Sequence, residues 1–385
     1  MSTISSVTEN LSGAAHAARP HMSLPRFACM PGRPVPGDRP RPYKMGATEK
    51  YKFCDEVLDT RLLARWRDIR WEGTGPDADT CRHEELTDVC DVLSNRRLLF
   101  VGDSIQHNFF LSVALRASRG PAERNTSGWQ ACYGGASTCI YALNVCENGH
   151  LKFVRNDYLA EVHVGHPHTR PFWKEALHGE HDVVLMNTGI HWLGGAHMSL
   201  NDTLANAHEV AAGLRMLSNR TMVVWRTTVW GHDGCWNDSK TSPLPDDYRP
   251  SVYGNDSKIY GWPKDYGWDR VTAINSLYTR TLEETLPGRV HFLDAFELSR
   301  RRVDRHPAVG NGVVDCLHYC LPGPPDAWTD VLMVLLRNGL GGPQQHHGGG
   351  HVRHTPRTPP PSPAPPPRGP RHPHMHAHKS YSRRN

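Results

Sequence analysis

The stretch Arg97-Leu98-Leu99-Phe100-Val101-Gly102-Asp103-Ser104-Ile105-Gln106-His107-Asn108 reads as a buried strand running into a helix. Four consecutive apolar residues, Leu98 to Val101, mark a strand covered on both faces, as in a parallel sheet. Gly102 permits a tight turn, and a helix beginning near Gln106 places Ser104 at its amino end. There a hydroxyl stands at the carboxyl end of a strand, where backbone N–H groups favour an anion. An acyl-transfer nucleophile needs that setting, because the oxyanion it generates must meet donors already in place. Asp and Ser are also ordinary helix caps, and on this stretch alone a purely structural cap is the plainer reading.

A second stretch bears on the choice: Asp315-Cys316-Leu317-His318-Tyr319-Cys320-Leu321-Pro322-Gly323-Pro324-Pro325-Asp326-Ala327-Trp328. Asp315 and His318 lie three apart on one loop, ahead of an expected terminal helix. An early Ser with a late Asp and His makes a candidate catalytic set, defined by roles and not by chain order. The Gly-Asp-Ser and Asp-x-x-His blocks resemble those of the SGNH/GDSL hydrolase superfamily. The longer run from Asp315 to Trp328 closely resembles the signature of the plant trichome birefringence-like (PC-esterase) family, which O-acetylates cell-wall polysaccharides. One departure is visible: the plant relatives usually have Ser-Arg-Asn after the serine block, where this chain has Gln106-His107-Asn108.

Taken in order, the chain alternates strand and helix. Strands are expected at 96–101, 151–155, 182–186, 221–225 and 290–293. Helices are expected at 106–117, 202–217, 271–286 and 326–337, the last stopping at Asn338-Gly339 by a glycine cap. This alternation predicts an α/β fold with a doubly wound parallel sheet, whose site lies at the carboxyl ends of the strands. Residues 51–340 would form one SGNH-like catalytic domain with irregular loop insertions. Its opening Trp- and Cys-rich segment, with Cys54, Trp66, Trp71 and Cys81, resembles the family's entry segment and would cap the sheet edge. Residues 1–50 and the Gly-, Pro- and His-rich 341–385 are expected to lack fixed structure. Alternating His374, His376 and His378 either bind metal loosely or belong to that ballast.

Charge argues against a nucleic-acid-binding core. The tails carry +4 and +7 of a total of +5, which leaves the middle at about −6. Nine of the ten cysteines lie between Cys54 and Cys320, a density that fits an oxidising lumen. Sequons at Asn10, Asn125, Asn201, Asn219, Asn237 and Asn255 point the same way. The resemblance implies a Golgi or other secretory location and an N-terminal membrane anchor. Residues 1–51 hold no apolar run of that kind, which a missing anchor would reconcile.

By matched position, Ser104 is the expected nucleophile, His318 the base and Asp315 its orienting carboxylate. The Ser104 backbone N–H and the Asn187 side-chain amide are the oxyanion candidates, although Asn187 before Thr188-Gly189 also suits a plain turn. Flat aromatic faces stack on sugars, which makes Trp192, Trp230, Trp236 and Trp262 candidates for binding a polysaccharide acceptor; the alternative is that such rings pin an irregular loop. His107, one turn from Ser104, is a second candidate base. No metal is expected: Cys316-x-His318-x-Cys320 lacks the paired halves of a zinc site, and a disulfide pinning the loop fits better. No bound cofactor is expected either, only an acetyl donor as co-substrate, acetyl-CoA or an acetylated intermediate. Three functions share these residues: a polysaccharide O-acetyltransferase, an acetyl esterase, and a non-catalytic glycan binder. Because residues 341–385 cannot bury enough apolar surface to offset their ordering entropy, a chain ending at Gly341 is expected to keep its turnover rate. A loss beyond about tenfold, or about 1.4 kcal/mol of barrier, would assign the tail a part in the reaction.

Overall fold

The computed structural model describes residues 33–37, 68–72, 89–118, 140–160, 173–193, 199–232, 235, 244, 247–249, 267–303, 306, 308–309, 313–321 and 323–340. Two strands, β1 (Arg33–Gly37) and β2 (Asp68–Glu72), pair antiparallel near the amino end. A short helix α1 (Cys90–Leu93) then leads into β3 (Arg97–Gly102) and α2 (Ser104–Ala117). Next come β4 (Ile140–Val145), β5 (Gly149–Arg155), α3 (Trp173–Leu177), β6 (Val183–Met186), α4 (Ile190–Leu193), α5 (Leu200–Arg215) and β7 (Met222–Arg226). A 3-10 turn at Trp268–Arg270 opens α6 (Val271–Thr285), followed by β8 (Val290–Leu293), α7 (Ala295–Ser299), a small ladder of β9 (Ala308–Val309) with β10 (Val313–Val314), and α8 (Pro324–Leu340).

The main sheet has the order β4-β5-β3-β6-β7-β8. Five strands are parallel, and β4 is an antiparallel edge laid on β5. The chain starts at β3, steps outward to β5, then crosses to β6 and continues through β7 and β8 on the other side. That reversal puts a crevice at the carboxyl ends of β3 and β6, where ligands enter open α/β sheets. The doubly wound parallel fold expected from the sequence is the observed one.

Alternation along β3 divides the core. Leu98 and Phe100 face α2 and α8, meeting Phe109, Phe110, Leu332 and Leu336. Leu99 and Val101 face α5 and α6, meeting Val210, Leu214, Ile274 and Leu282. Phe100 holds Phe109 and Phe110 edge to face, with ring centroids 5.7 and 5.5 Å away, the arrangement that opposed ring quadrupoles favour. Helix α5 starts on a reciprocal capping box between Ser199 and Asp202, which satisfies donors that the first turn leaves over.

Several elements depart from expectation. Strand β4, absent from the sequence expectation, has the apolar run Ile140–Leu143 but lies at the sheet edge with its residues alternating between exposed and partly buried. The glycine stop at Gly339 does not occur: α8 continues to Leu340. A Cβ at Gly339 would come within 3.0 Å of the Met222 side chain, so the glycine serves close packing on β7 and not chain reversal.

Asp294 caps α7, its Oδ1 accepting the Glu297 N–H at 3.1 Å and the Thr227 hydroxyl at 3.0 Å. Burial and the neighbouring Glu297 push its carboxyl up to about 6, against those hydrogen bonds and the charge of Arg300. A folded-state value above that of the unfolded chain means the folded form holds its proton longer. Stability therefore declines as pH rises from about 4 to about 6. Asp294→Asn keeps the acceptor and removes the charge. Since Asp294 retains some solvent contact, the variant is expected to gain about 1–2 kcal/mol at pH 7 and nothing near pH 3.5. Urea titrations at the two pH values measure this.

Candidate active site

The turn between β3 and α2 is built by steric necessity. A Cβ at Gly102 would stand 2.7 Å from the Asn187 carbonyl oxygen and 2.8 Å from Gln106 Cβ, so only glycine lets β3, β6 and α2 approach this closely. Asp103, fully buried, is the cap: its Oδ1 accepts the N–H groups of Ile105 and Gln106, each at 2.9 Å. The cap and the serine are thus separate residues. Ser104 Oγ lies 2.7 Å from His318 Nε2, and His318 Nδ1 lies 2.6 Å from Asp315 Oδ2. The structure brings together the three residues expected to form a triad.

The loop that carries His318 is fastened from several sides. Asp315 Oδ1 accepts the N–H groups of Leu317 (3.0 Å) and His318 (3.1 Å). Burial pushes the Asp315 carboxyl up, but the charge of His318 and these hydrogen bonds outweigh it and hold the group well below the usual carboxylate range. Asn108 of α2 donates to the Tyr319 carbonyl at 3.1 Å. A disulfide joins Cys316 to Cys235, and Cys320 is also disulfide-bonded. These bonds agree with the expected pinning of the loop; a further bridge joins Cys90 to Cys146. No group of three or more His, Cys, Asp or Glu side chains placed to hold a metal ion occurs among the described residues.

Other site candidates fall differently. Asn187 does reach the crevice at the end of β6, but its amide donates to the carbonyls of Thr188 (3.3 Å) and Arg226 (3.1 Å). Its Nδ2 hydrogens hold backbone here, as in the turn reading. Trp192 and Trp230 do not present open ring faces. Trp192 is buried, stands edge-on to Tyr158 and donates to the Tyr158 carbonyl. Trp230 is buried edge-on to Phe296 and Tyr248. Both rings fill gaps behind irregular backbone, which apolar content alone does not distinguish from a groove. Trp236, Trp262, the alternating histidines of the tail and most of the aromatic stretch before Trp268 lie outside the described residues. His107 is buried against Tyr141 and Phe153 of β4 and β5, while the Ser104 hydroxyl meets His318.

Sequence reasoning missed two buried charges at the strand ends. Arg226, last in β7, has no solvent exposure; it donates to Gln106 Oε1 at 2.7 Å, and its Nη2 lies 3.7 Å from Asp103 Oδ1. Burial pulls its guanidinium down to about 10, against the attraction of Asp103 and Tyr319, so it stays charged at neutral pH. Arg155, last in β5, grips Asp157 through two hydrogen bonds of 2.9 and 3.1 Å, and His191 Nε2 lies 3.6 Å from the same carboxylate. An arginine closing a strand, after Phe153-Val154 in β5 and after Met222–Trp225 in β7, was the available signal. A separate cavity of about 510 Å³, lined by Arg97, His181, Asp182 and Thr221 among others, sits at the amino ends of β3, β6 and β7, the opposite end of the sheet from Ser104.

Residues 86–335 match the PC-Esterase family model, described as a GDSL/SGNH-like acyl-esterase family found in Pmr5 and Cas1p. The chain is 24% identical over 294 residues to protein trichome birefringence-like 43 of Arabidopsis thaliana, spanning 69% of this chain and 76% of that protein. It is 23% identical over 359 residues to xylan O-acetyltransferase 14 of Oryza sativa subsp. japonica, spanning 74% and 70%. Among solved structures, the periplasmic domain of a lipopolysaccharide acetyltransferase from Salmonella ser. Paratyphi A is similar at 12% identity and a TM-score of 0.36, covering 76% of this chain and 98% of that one.

The close approach at Gly102 yields a direct test. Gly102→Ala is expected to destabilise the fold by about 1–3 kcal/mol and to lower activity further than that loss explains, because relief of the clash displaces Ser104. Chemical denaturation beside an acyl-ester hydrolysis assay separates the two effects.

Proposed function

Because the chain belongs to the PC-esterase family of GDSL/SGNH-like acyl-esterases, we propose that it is an O-acetyltransferase that moves acetyl groups onto polysaccharide hydroxyls through an acetyl-serine intermediate. The observation that carries this reading is the continuous line Ser104 Oγ, His318 Nε2, His318 Nδ1, Asp315 Oδ2, with steps of 2.7 and 2.6 Å. Relatives named as xylan and xyloglucan O-acetyltransferases supply the acceptor class.

In the first half-reaction, Ser104 Oγ attacks the acetyl carbonyl carbon while His318 Nε2 takes the hydroxyl proton. Asp315, held ionised, fixes the imidazole tautomer and stabilises the imidazolium that forms. The tetrahedral oxyanion lies at the amino end of α2, where the Ser104 backbone N–H is the candidate donor. Collapse breaks the bond to the leaving group, which takes the proton from His318; a thioester donor such as acetyl-CoA would leave as a thiol. In the second half-reaction, His318 accepts the proton of an acceptor hydroxyl, whose oxygen attacks the acetyl-serine carbonyl. The ester product departs, and Ser104 regains its proton from His318.

The family's description as acyl-esterases favours a second reading, in which water replaces the sugar hydroxyl and the product is free acetate. Partition of label between glycan and acetate decides between them. The disulfides at Cys90, Cys146, Cys235, Cys316 and Cys320 support assembly in an oxidising lumen such as the Golgi. Among the described residues no helix is long and apolar enough to cross a membrane.

Ser104→Ala is expected to abolish the acetyl-enzyme and nearly all turnover while leaving the melting temperature close to the parent, because Asp103 and not Ser104 caps the helix. His318→Ala should be about as severe, Asp315→Asn no worse than either, and the three losses should not add. Mass spectrometry of protein mixed with acetyl donor, followed by glycan product analysis, reads all of these. A folded Ser104→Ala protein transferring acetyl groups at the parental rate would sink the mechanism.

A further inference from the structure

Behind the loop that carries His318, two further histidines form a line of their own. His306 Nδ1 lies 2.7 Å from the His318 backbone oxygen, His306 Nε2 lies 2.8 Å from His232 Nδ1, and His232 Nε2 lies 3.0 Å from the Arg300 backbone oxygen. Both rings are buried, at 5% and 0% exposure.

The two ends of this line are carbonyl oxygens, which only accept. Each therefore requires an N–H from the ring that faces it. The central contact joins two ring nitrogens, and it too requires one hydrogen between them. Three N–H hydrogens on two rings exceed the two that a pair of neutral imidazoles carries. We infer that His232 and His306 hold one shared extra proton, and that the resulting charged pair positions the base His318 by anchoring its backbone carbonyl. This rests on the reading of His318 as the base; the two are positioning residues, not catalytic ones.

The surroundings suit a buried cation. The Tyr319 ring stacks on His306 with centroids 4.9 Å apart, and the Tyr248 ring stacks on His232 at 6.0 Å; electron-rich ring faces attract positive charge. The Arg300 guanidinium turns instead to Glu297. His232 is itself anchored, its backbone N–H donating to the Cys316 carbonyl at 2.9 Å, beside the bridge from Cys235 to Cys316. The peptide groups on both sides of His318 are thereby fixed, the N–H by Asp315 and the carbonyl by a donor with cationic character, which binds more strongly than a neutral one. With the backbone held at both peptide groups, the contact of Nδ1 with Asp315 Oδ2 at 2.6 Å aims Nε2 at Ser104.

Nuclear magnetic resonance of the full chain with nitrogen-15 in its histidine rings tests the pair directly. At pH 6.5, a strongly downfield proton correlated with both His232 Nδ1 and His306 Nε2 is expected. It should vanish in His306→Phe and persist in Ser104→Ala. Ring nitrogen shifts that give two neutral imidazoles, with two N–H hydrogens over the four nitrogens in place of three, would overturn the inference even if one hydrogen sits at the contact. Kinetics supply the second arm: His306→Phe should lower kcat about ten- to a hundredfold with KM nearly unchanged, as expected of a displaced base. His306→Asn, whose amide replaces Nδ1 as donor to His318, should recover most of that loss. An unchanged kcat in folded His306→Phe refutes the positioning role. The resonance is independent of acetyl transfer, so failure of Ser104 as nucleophile and failure of the histidine pair are separately visible.

Discussion

The carboxylate of Asp103 is the constraint on which the site depends. By accepting two amides at the start of α2 it does the work of a cap, which leaves the adjacent hydroxyl available to His318. The arrangement places a carboxylate and the Arg226 guanidinium together without solvent, 3.7 Å apart at their nearest atoms. Desolvating two such ions costs several kcal/mol each, and part of it returns through hydrogen bonds to α2, Gln106 and the Thr227 carbonyl. The ends of β3 and β7 are thereby bound to each other through charge, with α2 between them. A site at a strand terminus would otherwise sit on the least constrained part of the backbone.

The opposite wall is attached to the same helix. Asp326, at the start of α8, accepts the Gly323 N–H at 2.7 Å and the Ser112 hydroxyl of α2 at 2.8 Å. Arg116 of α2 pairs with Asp330 of α8. Helix α2 thus carries the serine at its first residue and, further along, the residues that receive the segment following His318. Relative placement of Ser104 and His318 is set by packing between two long helices, a more rigid reference than a loop.

Much of this was readable in the sequence where a single physical pattern dominated. Buried parallel strands need unbroken apolar runs, so β3, β6 and β7 announced themselves, and the helices that cover them carried apolar stripes. Asp315 and His318 were legible through the resemblance of a long consecutive block. The unread parts obey several demands at once. Strand β4 is an edge strand whose short apolar run stays partly exposed, so the run alone does not mark it as part of the sheet. Gly339 has the look of a stop but answers to Met222. Trp192 and Trp230 have the chemistry of sugar platforms and the positions of core residues. Asn187 occupies the expected strand end, yet its amide serves backbone carbonyls. In each case the residue type was compatible with two roles, and only its neighbours in three dimensions chose between them.

The hydroxyl and the imidazole that meet at the site are 214 residues apart in sequence. Contacts of such long range form late, because the loop-closure entropy falls due before they stabilise anything. During synthesis β3, α2 and the serine emerge long before Asp315 and His318 exist, and the bridge from Cys235 to Cys316 cannot close until the later cysteine has appeared. A growing chain, or one truncated before His318, therefore carries Ser104 without the imidazole that meets it in the complete fold. On the mechanism proposed above, activity begins only once the segment that carries His318 is in place, which ties its timing to completion of the fold.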